Sequence, residues 1–398
     1  MREVTAGDDA MAPDDPGYQI TNNACKRMND PAMRRSICLT EDHEVFGNGT
    51  GDVRRHIIEP AARMAGVCEQ FGMPLTVFFE AEEYLTFGRE REALKAAWKY
   101  DPAEELRSQA IDLVRRGHDL QLHLHPEWVG SRFEGGRWIL QPDHSTVDSL
   151  FVTQQEVSDY LGERKAVIDG FYEAAGSTRR VTAYRCGAFC AQPGRKLLRA
   201  MAELGIVIDS SAVKGMVRKD DHVHLDFTGA PADRRHWRVA TDVAVEDMAG
   251  RVTEIPIYSR MGRRVQQLTP RRLLAKFSSS IPREKQRETV SQLGIGRTPA
   301  SVLRFLAQRF PIKLDFHNMS SGQLLRWIRN APPAPEGDLN VIVLIGHSKE
   351  HRDDKEFERF LAKVAADPEL EVVSMSQIAE RLKNKGMGLG CQSLMSNV

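Results

Sequence analysis

From about residue 34 onward the chain alternates strand-like and helix-like pieces, and this alternation limits its fold more than any other feature. RRSICLTEDHE (34–44) reads as a first strand. Ile57, Ala61, Met64, Cys68 and Phe71 then recur at helical spacing. FGMPLTVFFEAEEY (71–84) gives a turn and a second strand. Asp101-Pro102 followed by Glu104 starts a helix, because aspartate caps the free amides and proline tolerates the first helical position. That helix ends near Gly117, and HDLQLHLH (118–125) is the next strand. Thr153 with Glu156 caps a helix whose buried stripe is Val157, Leu161, Ile168 and Phe171. RVTAYRCGAF (180–189), IVIDSSAV (206–213), TEIPIYS (253–259), IKLDFHN (312–318) and NVIVLIGHS (340–348) follow as strands. GRKLLRAMAELG (194–205), EFERFLAKVAA (356–366) and MSQIAERL (375–382) read as helices.

Strands separated by helices imply a parallel sheet, open or closed. The polar residues choose between these. Asp42, Glu44, His123, His125, Arg185, Asp209, Asp315 and His347 all fall at or near the C-terminal ends of different strands. A barrel gathers such residues at one mouth. The expectation is an α/β chain folded as a distorted (β/α) barrel of about seven parallel strands over residues 34–383. A polar, disordered tail (1–33) precedes it and a flexible tail (384–398) follows. Residues 260–313 carry many Arg and Lys and only Glu284 and Glu288 as acids. They read as a basic helical insertion, either a solvated surface or a lid that receives an anionic substrate such as a diphosphate-linked sugar.

Composition excludes several functions. The 55 basic and 55 acidic residues balance, which argues against a nucleic-acid binder. No run of ~18 apolar residues is present to enter a membrane stably. The start of the chain lacks the apolar core of a secretory signal, and the six cysteines form no paired framework, so the expected compartment is the cytoplasm. No GxGxxG or Walker-type loop offers a phosphate cradle.

The chemistry lies in two pairs at i, i+2 spacing. Alternate residues of a strand share a face, so His123 and His125 converge, and so do Asp42 and Glu44. Two imidazoles and one carboxylate make a three-ligand site for a divalent ion, most readily zinc, with iron, cobalt or manganese as alternatives. A second carboxylate can act as general base. The spacing leaves open which acid is base and which is ligand. His118 reads as a capping or packing residue and the HVH at 222–224 as surface. Asp315 and His317 form a further i, i+2 pair with a structural default.

In order and spacing, LTEDHE, PLTVFF, GHDLQLHLHPEW, AYRCGAF, LGIVIDSS, TEIPIYS and LIGHSKE resemble the motifs of the polysaccharide deacetylases, the chitooligosaccharide-deacetylase homology group of carbohydrate esterases. The HLHP histidine motif resembles that of a divergent branch. The resemblance implies metal-dependent removal of an N- or O-acetyl group from a saccharide. The expected substrate is an acetylated, sugar-linked intermediate of cell-surface polysaccharide synthesis, and the enzyme is expected to be a possible homo-oligomer. It implies Asp42 as general base, Glu44, His123 and His125 as metal ligands, and Arg185 as the clamp on the base. It further implies His347 as general acid, tuned by Asp209, with Trp128, Phe189 and Glu254 facing the sugar. Other readings of the same residues are an amidohydrolase or phosphoesterase that uses an HxH pair, and a carbohydrate-binding barrel without catalysis. In the family the first motif has adjacent aspartates, and its two histidines stand four residues apart. Here His43 separates the acids, and Glu127 stands where the second histidine would fall.

Overall fold

The computed structural model describes residues 34–219, 222–267 and 298–395. Seven strands carry the fold: β1 (Arg35–His43), β2 (Thr76–Glu80), β3 (Asp119–Leu124), β4 (Ala183–Cys186), β5 (Ile208–Asp209), β6 (Val252–Glu254) and β7 (Val341–His347). The order around the sheet is β6-β5-β4-β3-β2-β1-β7, and every neighbouring pair is parallel. Just past β6 the backbone turns to β7. Ile257 pairs in parallel with Val343, and Tyr258 N–H donates to the Val343 carbonyl at 3.0 Å. Those bonds close the circuit into a distorted α/β barrel of seven strands, as the alternation of elements predicts.

The strands read as they do because both of their faces are covered. All residues of β2 and β3, and Ser36 to His43 of β1, are buried, so the interior accepts long apolar runs such as Val77–Phe79. Helices Glu59–Gln70, Pro102–Arg115 and Gln154–Ala174 cover the outside. Their starts follow the sequence: Asp101 accepts from Glu104 N–H, and Thr153 with Glu156 forms a reciprocal capping box. Met64, Cys68, Val157, Leu161 and Ile168 supply the buried stripes.

Three segments depart from the expectations. The strand expected at 312–318 is Arg309–Lys313, and it pairs antiparallel with Ser259–Arg263 as a hairpin. Beyond it, Leu314–Phe316 touches the barrel: Asp315 bridges to Ile345, Ile345 N–H donates to the Leu314 carbonyl and Phe316 N–H to the Ile345 carbonyl. This hairpin and the helix Pro299–Ala307 form the described ends of the basic segment, and its middle, like the N-terminal tail, lies outside the described residues. The last helix, Met375–Met395, runs through most of the segment read as a C-terminal tail. No helix among the described residues is long and apolar enough to cross a membrane.

Asp209 and Glu254 sit opposite each other on β5 and β6, both fully buried. Ser211 and the Ala212 amide each donate to one of the carboxyls, while Asp209 Oδ2 and Glu254 Oε2 have no donor. Burial raises the pKa of both, and for Glu254 the Asp209 charge raises it further, well above the usual range. A shared proton satisfies the pair. In the unfolded chain Glu254 ionises near its ordinary value, so above that pH folding must take up a proton. The resulting cost grows with pH by about 1.4 kcal/mol per unit until the folded pKa is reached. Glu254→Gln keeps the acceptor and supplies a permanent donor. It is expected to raise the melting temperature at pH 8 and to leave it unchanged at pH 4, as followed by circular dichroism. An equal shift at both pH values would contradict the shared proton.

A candidate metal centre at the barrel mouth

β1 and β3 both end at the mouth, with β2 between them. Glu44, one residue past β1, lies between the two imidazoles. Its Oε2 is 3.2 Å from His123 Nε2 and 3.0 Å from His125 Nδ1. The three residues are buried, and their ligand atoms lie within 4.8 Å of one another. His123 Nδ1 donates to the Arg185 carbonyl at 2.8 Å, which fixes the tautomer and leaves the Nε2 lone pair directed at Glu44. His125 Nδ1 is buried and has Glu44 Oε2, at 3.0 Å, as its polar neighbour. Two buried imidazole nitrogens facing one carboxylate are a donor set that fits a divalent cation.

Electrostatics agree with that fit. Burial would lower the His125 pKa, but Glu44 and, less strongly, Glu127 and Glu80 push it up to about 10. Burial would raise the Glu44 pKa, but His125 and Lys349 hold it well below the ordinary value. In the absence of a cation the site therefore stores positive charge as a proton.

Asp42 occupies the neighbouring position of the mouth. Its Oδ1 accepts from Arg185 Nη1 at 2.6 Å, and its Oδ2 is 3.5 Å from His347 Nε2. Arg185 is fully buried and tightly held. Nη1 also donates to Thr40 Oγ1, Nε to the Ser210 carbonyl, and the guanidinium lies 4.0 Å from the Phe78 ring centre. Burial would raise the Asp42 pKa, but Arg185, with His123 and His347, offsets this and holds it below the ordinary value. On its other side His347 Nδ1 is 3.5 Å from Glu350 Oε2. Burial would lower the imidazole's pKa, but Glu350 and Asp42 raise it.

The structure thus brings together six of the residues singled out in the sequence: Asp42, Glu44, His123, His125, Arg185 and His347. It separates others. Asp209 is engaged with Ser211 and Glu254, and the groups beside His347 are Asp42 and Glu350, so Asp209 does not tune that imidazole. Glu254 is sealed inside the barrel and faces no sugar. Trp128 packs edge-on against Phe87 and Trp138 and is core, because an aromatic cluster from four segments closes over it. Phe189 is partly exposed at a cavity beside the site. His118 accepts from Leu75 N–H, the packing role expected of it, and His222 is at the surface near Asp143.

Several site residues escaped the sequence reading. Lys349 Nζ bonds Glu44 Oε1 at 2.5 Å and the Val45 carbonyl at 2.7 Å, leaving Oε2 for the imidazoles. Lys349 and Glu350 stand two and three residues after the histidine of LIGHSKE, which was the available signal. Glu80 accepts from His125 N–H at 2.8 Å, and Glu83 accepts from Val45 N–H at 3.1 Å. Burial, with Glu44 beside it, pushes Glu83 up to about 8. These acids of FFEAEE brace the loops that carry the ligands.

Gly187 is fixed by close approach. A Cβ built there would come within 2.7 Å of His125 Nδ1, so any side chain displaces the ring. Ala188 and Phe189, next in the turn, both adopt left-handed backbone, at φ of 50° and 64°. Successive strained residues beside a polar site mark a backbone shaped for a task. Gly187→Ala is expected to cost about 10–100-fold in affinity for zinc, as displacement of a supporting contact does. Isothermal titration calorimetry reads this, and unchanged affinity would mean that His125 is not a ligand.

No family model and no curated protein matches the chain. Among solved structures, a Mycobacterium smegmatis protein assigned as a polysaccharide deacetylase is 14% identical, with 90% of this chain and 93% of that one covered and a TM-score of 0.45. The 4-alpha-glucanotransferase from Thermococcus litoralis is 11% identical over 87% of this chain and 40% of its own, with a TM-score of 0.40. A family 4 carbohydrate esterase from Streptomyces lividans is 10% identical over 86% and 93%, with a TM-score of 0.32. Likeness of this size leaves the function to be argued from the site itself.

Proposed function

We propose that the chain is a metal-dependent hydrolase that removes an acetyl group from a saccharide, a divergent relative of the polysaccharide deacetylases. The observation that carries this reading is the pairing of two units at one mouth. One is a Glu44–His123–His125 donor set, and the other is an Asp42 carboxylate clamped by Arg185 and backed by His347.

Glu44, His123 and His125 would hold the ion, which when bound supplies Lewis acidity to an acyl carbonyl and lowers the pKa of water. Asp42, ionised at neutral pH, accepts the proton of the attacking water. Arg185 fixes the carboxylate's orientation and keeps it charged. His347, whose pKa is raised by Glu350 and Asp42, delivers a proton to the leaving amine or alkoxide. Backbone amides of the turn Gly187–Phe189 would donate to the developing oxyanion.

Elemental mass spectrometry on the purified protein, beside a His123→Ala/His125→Ala variant, tests the donor set. About one zinc, iron, cobalt or manganese ion per chain is expected in the parent and none in the variant. Acetate release from N-acetylated chito-oligosaccharides and acetylated sugar phosphates tests the reaction. Absence of metal after reconstitution, or turnover of phosphomonoesters in place of acetylated sugars, would overturn the proposal.

A further inference from the structure

A cavity of about 680 Å³ adjoins the site, a size that holds a small organic ligand. Two parts of its wall touch neighbours of that site. In one, Ala188 and Phe189 line it, in the turn whose Gly187 backbone rests on the His125 ring. In the other, Asn318 lines it, and Asn318 Nδ2 donates to Glu350 Oε2 at 3.3 Å, the carboxylate beside His347. The cavity wall is therefore tied to the ligand end of the mouth through the Gly187 turn and to the acid end through Asn318.

The lining is cationic and aromatic. Among the described residues the lining carries Arg218, Arg264 and Lys313 as cations and Asp315 as an acid. Asp315 is already committed, since it accepts from the amides of His317 and Asn318 and from the Asn318 side chain. Phe189 and Trp327 add faces of the kind on which sugar rings stack. Lys313 Nζ stands 4.2 Å from the Phe189 ring centre, and the Arg264 guanidinium is held 4.1 Å from that of Phe310. Cations placed by aromatic rings next to a sugar platform suit a saccharide that carries phosphate.

We infer that this cavity binds the phosphate of a glycosyl phosphate or diphosphate, so that the hydrolase acts on an activated sugar. The inference rests on the deacetylase reading for its reaction, but the cavity's preference for anions stands apart from it. The phosphate meets Arg218, Arg264 and Lys313, the pyranose lies along Phe189 and Trp327, and the acyl group points to the His125 side. The same chemistry is offered by a nucleoside diphosphate sugar and by a lipid diphosphate sugar.

Binding is measured by calorimetry on the His123→Ala/His125→Ala protein, which cannot turn substrate over, and on the parent. The probes are N-acetylglucosamine 1-phosphate, UDP-N-acetylglucosamine, farnesyl-diphosphate-linked N-acetylglucosamine and uncharged N,N′-diacetylchitobiose. At least one phosphorylated probe is expected to bind about tenfold or more tighter than chitobiose. The preference should fall with added salt and be lost by about tenfold for each of Arg264→Ala and Lys313→Ala. Arg264→Lys and Lys313→Arg, which keep the charge, should retain most of it and guard against a folding defect. Which diphosphate binds tighter names the source. Equal affinity for chitobiose and all phosphorylated probes, or a preference untouched by both alanine variants, overturns the inference. Phosphate-dependent binding without acetate release by the parent would retain the cavity's role and reject the deacetylase reading.

Discussion

Asp42→Asn is expected to lower turnover of an acetylated saccharide by about 10²–10⁴-fold while leaving the bound metal in place. Glu44→Gln is expected to do the reverse in order of events, losing the metal first and turnover with it. The two acids are two residues apart, one near the end of β1 and one just past it, and the sequence alone allows either to be the ligand. The geometry separates them. Glu44 Oε2 lies within 3.2 Å of both imidazoles, whereas Asp42 spends its oxygens on Arg185 and His347. Steady-state acetate release and elemental analysis on the two variants decide the matter. An Asp42→Asn protein without metal, or a Glu44→Gln protein with a full complement, would exchange the roles.

Much of this site was legible in advance because strand geometry is so regular. Side chains at i and i+2 share a face, and in a barrel of parallel strands the C-terminal ends meet at one mouth. His123 with His125, Asp42 with Glu44, and single residues such as Arg185 and His347 could therefore be placed together with no contact information. The closure after β6 was less legible, because the Ile257–Val343 bridge is one pairing long and Pro256 interrupts the strand pattern. The hairpin Arg132–Glu134 with Arg137–Ile139 carried a readable signal, the Gly135-Gly136 pair, both at positive φ, and went unread.

The misplaced residues have a common cause. A strand position fixes which way a side chain points but not what lies above it. Trp128 follows the histidines closely enough to line a subsite, yet Phe87 and Trp138, distant in sequence, enclose it. Asp209 ends a strand like the other polar residues, but β5 pairs it with Glu254 inside the wall. Lys349 and Glu350 lie in the short helical turn after β7, where no period marks them.

Arg185→Met is expected to destabilise the fold by about 3–5 kcal/mol at neutral pH, because it leaves the Asp42 charge buried without its partner. The same substitution in an Asp42→Asn background should cost less, since no carboxylate then remains to be stranded. A double-mutant cycle by urea denaturation measures the difference. Its pH dependence carries a sign. Asp42 has a folded pKa below its unfolded value, so its contribution is present above the unfolded pKa, near 4, and is lost as pH falls through the folded one. The coupling energy should therefore be full at pH 7 and shrink below about pH 4. A coupling that stays constant into acid would mean that Arg185 acts through Thr40, Ser210 and Phe78 alone. Arg185 would then be a packing element of the wall, and Asp42 would lose the clamp that its role as a base requires.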